Sequence, residues 1–170
     1  MDLKTTLLKE HSKGNSIYIA SYIGSDKVKF EALMELFFNG EYKVTQRAAW
    51  VVGMCFEAYP TLIDPYIQQL LENLKNTSVH DAVKRNTFSI LQYRELPDAY
   101  LELAANIGFD YFNNKNEAIA IRVFAMTFMT TICKKLPELK EELRILIEDE
   151  LPYGSAGFVS RGKKMLALLI

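Results

Sequence analysis

Cysteine and histidine are scarce in this chain, with two of each among 170 residues. Cys55 and Cys133 both sit in apolar helical runs, where a free thiol behaves as a small hydrophobe, so reduced core thiols in a cytoplasmic protein are expected. His11 and His80 lie far apart, and neither has a Cys, His or carboxylate partner at metal-ligand spacing, so no zinc site is expected. The same shortage leaves no Ser-His-Asp or Cys-His set that could be assembled, and neither a catalytic constellation nor a cofactor is expected. No stretch approaches ~20 uncharged apolar residues, which argues against a membrane span. The segment Met1 to His11 lacks the apolar core of a signal peptide. Strand-type alternation is absent, and a net charge of −1 says nothing by itself about nucleic acid.

Helical periodicity, by contrast, runs from end to end. Leu62, Ile63, Tyr66, Ile67, Leu70, Leu71 and Leu74 recur at spacings of three and four and so form one apolar stripe on a 3.6-residue period. Thr61 is positioned as the N-cap of that helix, and Pro60 ends the helix before it. The preceding run, 44–58, is apolar on most sides, with Ala48, Ala49, Trp50, Val51, Val52, Met54, Cys55 and Phe56. A helix of that kind must be covered by neighbours. Trp50 and Phe124 are therefore expected in the core.

This helix–proline–helix unit repeats. Arg47, Arg85, Arg122 and Arg161 are separated by 38, 37 and 39 residues, and each opens an apolar helical run. Pro60, Pro97 and Pro137 keep step behind the first three, each introducing a second amphipathic helix. Fixed-period self-similarity of this length marks a stacked repeat protein.

On the turn leading into Val-x-x-Arg-Ala-Ala-Trp-Val-Val-Gly, and on Pro-Thr-Leu-Ile-Asp-Pro-Tyr-Ile-Gln-Gln-Leu-Leu, the chain resembles the HEAT family of α-solenoids over about residues 27–170. The resemblance implies an all-α fold: a right-handed α–α superhelix of stacked hairpins, with one helix of each pair lining a concave face. Family members commonly carry an acidic residue shortly before the arginine. Glu41, Asp81 and Glu117 stand at that place, while the last repeat has Ser155 and Gly157 there.

Taken in order, residues 2–11 read as a short helix with Leu3, Leu7 and Leu8 inward. Lys13-Gly14-Asn15 reads as a turn and Ile17–Ile23 as helix. Gly24-Ser25-Asp26 is a break, and 27–38 is helix up to the Asn39-Gly40 turn. Residues 79–93 pair with 97–113, whose inward set is Tyr100, Leu101, Ala104, Ile107, Tyr111 and Phe112. Residues 117–135 pair with 138–151, and a last helix reaches Ile170. Ten helices in about five hairpins are expected. No linker interrupts them, so one domain spanning 1–170 is expected.

Residues 157–164 match the first seven positions of a phosphate-binding P-loop. That loop needs a preceding strand and a Ser or Thr hydroxyl at the last position; here the position is Lys164 and no strand precedes it. Nucleotide hydrolysis is not expected, and a glycine turn is the simpler reading.

Charge is unevenly distributed. The arginine-bearing helices, 44–58, 79–93, 116–135 and 157–170, hold nine basic and three acidic residues, and their partner helices hold five basic and thirteen acidic ones. If the arginine-bearing helices line the concave side, that side is basic and suits a ligand of acidic character. Arg47, Lys84, Arg85, Arg122, Arg161, Lys163 and Lys164 are the candidate binding residues. The competing structural reading makes Arg47, Arg85 and Arg122 a ladder paired with neighbouring repeats. The expected function is a non-catalytic interaction module for a protein or peptide partner. The alternative is nucleic-acid binding of the kind seen in HEAT-like DNA alkylation-repair proteins. The sequence leaves the oligomeric state open.

Overall fold

The structure is a computed structural model that describes residues 1–76 and 78–170. Among the described residues there are ten α-helices, four 3-10 segments and no strand. Helical contacts group the chain into two compact units, residues 1–86 and 87–170.

The first unit holds α1 (Leu3–Lys9), α2 (Lys13–Ile23), α3 (Lys27–Asn39), α4 (Tyr42–Ala58) and α5 (Ile67–Leu74). The helix α6 (Asp81–Leu91) begins in this unit and ends in the other. Side-chain caps fix where the early helices start. Asp2 accepts from the Thr5 amide, Ser12 from Asn15, and Asp26 from both Val28 and Lys29, each satisfying first-turn donors that lack a helical partner. The Ser12 cap makes Lys13-Gly14-Asn15 the first turn of α2 rather than a separate turn. Gly24, with φ at 54°, ends α2 in a conformation that favours glycine.

α4 is the hub of this unit, because α1, α2 and α3 all pack on it. The sequence explains why: Val44, Ala48, Ala49, Val51, Val52, Cys55 and Phe56 are buried on several sides of one helix. Phe30, Leu33 and Phe37 of α3 and Ile19 and Ile23 of α2 are likewise buried, all at most 1% exposed. Each fully buried side chain of this size contributes about 1.5–3 kcal/mol. Leu8 was expected inward but is 41% exposed. Leu3 and Leu7, four apart, take the buried side of α1, and Leu8 lies about 100° around from Leu7.

The helix expected from Thr61 onward starts differently. Pro60–Tyr66 is a 3-10 segment containing Pro65, Tyr59 occupies its N-cap position, and no side chain caps it. Pro65 lacks the N–H of an α-helical turn and its ring would meet the carbonyl four residues back, so the α-helix begins only at Ile67. The apolar stripe is buried as its periodicity requires, with Tyr66 half-buried.

The second unit holds α7 (Leu101–Asn113), α8 (Ile119–Ile132), α9 (Lys140–Glu150) and α10 (Ala156–Leu166). α8 packs against α7, α9 and α10. Its core is aromatic: Phe88 sets an edge against Tyr111 at 5.1 Å and lies 5.5 Å from Phe128, and Phe112 stacks on Phe158 at 6.1 Å. Such offset and edge-on pairs add to plain burial. Pro97, Pro137 and Pro152 each stand at the start of a 3-10 turn. The expected inward face of α7 is buried, apart from a half-buried Tyr100. α10 ends at Leu166, short of Ile170. Gly157 and Gly162 both lie within this helix, so the P-loop-like spacing forms no loop.

The repeat appears within each unit as side chains that meet one period apart. Tyr42 lies on His80 at 4.3 Å and Phe30 on Tyr66 at 5.8 Å in the first unit. In the second, Thr131 Oγ1 donates to the Gln92 carbonyl, 39 residues earlier.

Candidate functional site

Arg47 lies in α4 one turn before Trp50. Its Nη1 donates to the Leu7 carbonyl at 2.7 Å. Leu7 is in the last turn of α1, whose carbonyls have no helical partner, and a cation there complements the helix dipole. Asn15 meets the neighbouring Thr6 carbonyl in the same way. Arg47 Nε is buried without an acceptor. Trp50, expected in the core, is 37% exposed. Its ring and that of His11 stand edge to face, 5.8 Å apart. Phe124 is half-buried.

Adjacent residues on a helix point about 100° apart, and α6 separates Lys84 from Arg85 accordingly. Arg85 is exposed. Lys84, grouped with it as a surface cation, is instead buried at 5% exposure, 3.9 Å from Asp81. His80 stands at the start of this helix. Its Nδ1 accepts from the Ala82 amide at 2.8 Å and its Nε2 is buried without a partner. Burial lowers its pKa, the Arg85 charge lowers it further, and Asp81 works against both.

In the second unit Arg122 is enclosed. Nε donates to the Phe112 carbonyl at 2.8 Å and Nη2 to Glu150 Oε2 at 2.7 Å. The guanidinium lies 5.7 and 5.5 Å from the rings of Phe112 and Phe158, a cation–π arrangement. Lys115 joins Glu150 from the other side at 3.0 Å. The hydrogen bond from Arg122, more than any other influence, holds the Glu150 carboxyl below its usual range. Arg161 has a lighter anchor: Nη1 donates to Thr127 Oγ1 at 3.3 Å. Lys163 and Lys164 are exposed in the last turn of α10, where cations suit the dipole.

The seven candidate residues therefore fall into two sets. Lys84 is buried and Arg47 and Arg122 are half-buried with their guanidinium groups on backbone carbonyls, while Arg85, Lys163 and Lys164 reach solvent and Arg161, also half-buried, has one side-chain hydrogen bond. The sequence offered no means of separating Lys84 from Arg85 without knowing which face of α6 is covered. For Arg122 one signal existed: Glu150 lies in the acidic partner helix that follows it.

Both cysteines are buried, and burial pushes the Cys55 thiol up to about 12 and Cys133 up to about 11, which keeps each protonated at neutral pH. Among the described residues no three His, Cys, Asp or Glu side chains are grouped to hold a metal ion, and no helix is long and apolar enough to cross a membrane.

A family model of a HEAT repeat domain matches residues 3–166, and the chain belongs to the HEAT-repeat family. No curated protein and no solved structure matches it. HEAT repeats generally serve as scaffolds for protein interaction, and the family is typically non-catalytic.

Proposed function

We propose that the chain is a non-catalytic scaffold that binds a protein segment of acidic character, with Arg161, Lys163 and Lys164 of α10 on the binding surface. The observation that carries this reading is the lack of charge compensation there. None of the three has a carboxylate within ion-pair distance among the described residues, whereas Lys75, Lys115, Lys135 and Arg144 each do. Arg85, in the first unit, shares that property. On this reading Arg47, Lys84 and Arg122 leave the set of binding residues expected from the sequence, because hydrogen bonds or burial hold them within the protein. Uncompensated surface cations steer and select acidic partners.

Fluorescence anisotropy with a labelled oligoglutamate peptide tests it. The triple variant Arg161→Glu, Lys163→Glu, Lys164→Glu should bind about tenfold more weakly, about 1.4 kcal/mol. Affinity of the native protein should fall as salt screens the contacts. Equal affinity in the triple variant, or no binding at low salt, would sink the reading.

Nucleic-acid binding is the second reading, favoured by the exposed Trp50 one turn from Arg47, since an open indole is a stacking platform for bases. Titration with labelled DNA separates the two, because phosphate contacts make affinity fall steeply with salt. Absence of binding at low salt removes it.

A further inference from the structure

The second unit also contains a cleft that includes none of Arg161, Lys163 or Lys164. One wall is residues 92–106, running from the end of α6 into α7, and the other is residues 131–139, at the end of α8 and the turn after it. It comprises two adjoining hollows of about 290 and 660 Å³ that share Leu101 and Lys135. The larger lies within the range of about 300–1,000 Å³ usual for ligand sites. Leu96, Leu101 and Ile132, each at most 7% exposed, form an apolar floor to the first hollow.

The rim is polarised. Lys134 stands at the first hollow, and Asp98, Glu102 and Glu138 surround the second. Lys135 and Glu95 meet at 2.6 Å between the two ends. That pair is exposed and contributes little to stability, though each partner strengthens the other's charged form through their shared hydrogen bond. None of the three carboxylates at the acidic end has an ion-pair partner among the described residues.

We propose that this cleft docks an extended peptide in which apolar residues are flanked by a carboxylate side chain at one end and a lysine or arginine at the other. The apolar floor takes the central side chains out of water. Lys134 at one end and the three carboxylates at the other fix the peptide's direction by charge complementarity. The site is separate from the α10 cations and does not depend on them.

Anisotropy with two end-blocked, fluorescein-labelled tetrapeptides, Glu-Leu-Leu-Lys and Lys-Leu-Leu-Glu, tests the proposal, with Glu-Gly-Gly-Lys as the control for the floor. One order should bind at least about tenfold more tightly than the other, and the control should not bind. Glu102→Lys with Glu138→Lys, both at exposed positions and checked for unchanged helicity, should abolish that preference. The α10 triple variant should retain it. Equal binding of both orders, binding by neither, or an undiminished preference in the Glu102/Glu138 variant would overturn the proposal. So would loss of binding in the α10 variant, which would place the peptide elsewhere.

Discussion

Arg122 ties three helices together through one guanidinium, with its Nη2 2.7 Å from Glu150 Oε2 and its Nε on the Phe112 carbonyl. The two side chains are only 11% and 18% exposed, so the pair is less screened than a surface ion pair. Arg122→Ala leaves the Glu150 charge and the Phe112 carbonyl without this donor, and should cost about 3 kcal/mol. Arg122→Lys keeps the charge but loses the fork that serves both acceptors and should cost less. Urea unfolding followed by circular dichroism measures both, with the midpoint moving and the slope unchanged. A loss below about 0.5 kcal/mol for the alanine variant, the level of an ordinary surface change, would show the residue to be dispensable for folding.

The same pair sets a pH dependence. Glu150 has its folded pKa depressed from 4.5 by its partners, so the unfolded chain binds the proton more readily. The stabilisation is complete above the unfolded value and is lost as pH falls through the folded one. Glu150→Gln should therefore be less stable than the native protein at pH 7, and the gap should close as the pH falls through the depressed folded value. A gap that stays constant with pH would contradict the linkage.

His80 acts in a different window. Its pKa is lowered in the folded state, and its neutral Nδ1 accepts the Ala82 amide. Protonation would remove that cap and place a cation at a helix N-terminus, where the dipole opposes it. Stability should be fully present above the unfolded value of about 6.5 and should fall as pH drops through the lower folded value. His80→Asn keeps a capping acceptor and cannot titrate, so its urea midpoint should change less between pH 7.5 and 5.5 than that of the native protein.

The two glycines of α10 should respond oppositely to alanine. A methyl group at Gly157 meets nothing within 4 Å, whereas at Gly162 it would stand 2.7 Å from Leu151 and 3.3 Å from Ile147. Gly157→Ala should stabilise by about 0.5 kcal/mol through helix propensity. Gly162→Ala should cost about 1–3 kcal/mol through overpacking. Equal shifts in thermal midpoint would show that α10 and α9 are less closely packed than the structure has them.

Cys55 and Cys133, 1% and 0% exposed, should both be silent to a thiol reagent at pH 8 and both react in denaturant. Only the thiolate is reactive, and burial holds each thiol up, to about 12 and about 11. Fast labelling of either one in the native protein would place that residue at a surface.

Much of the architecture was legible because helix period, proline position and repeat length are local or one-dimensional signals. The stripe from Leu62 to Leu74 and the inward face of α7 are read from spacing alone. The arginines in register mark a stacked repeat, and the family resemblance rests on the segments around Arg47 and after Pro60. What failed was local competition between signals. Thr61 looked like a cap until Pro65 excluded an α-helical first turn, and Lys13 to Asn15 looked like a turn until the Ser12 hydroxyl made them helix. Trp50 looked like core because hydrophobicity implies burial, yet which side of α4 is covered depends on helices far away in the chain.

The residue series by itself determined that this protein is a succession of short helices, two to a repeat, unable to bury their apolar faces singly. The reason is that period and breaker residues act within a few positions of one another. Only the tertiary structure decided which charges are structural and which are free. Arg47 and Arg122 found backbone carbonyls and Lys84 was turned inward, while Arg85, Lys163 and Lys164 were left facing water. The fate of a side chain's charge is set by what packs against it from another helix, and the order of residues in its own helix does not contain that information.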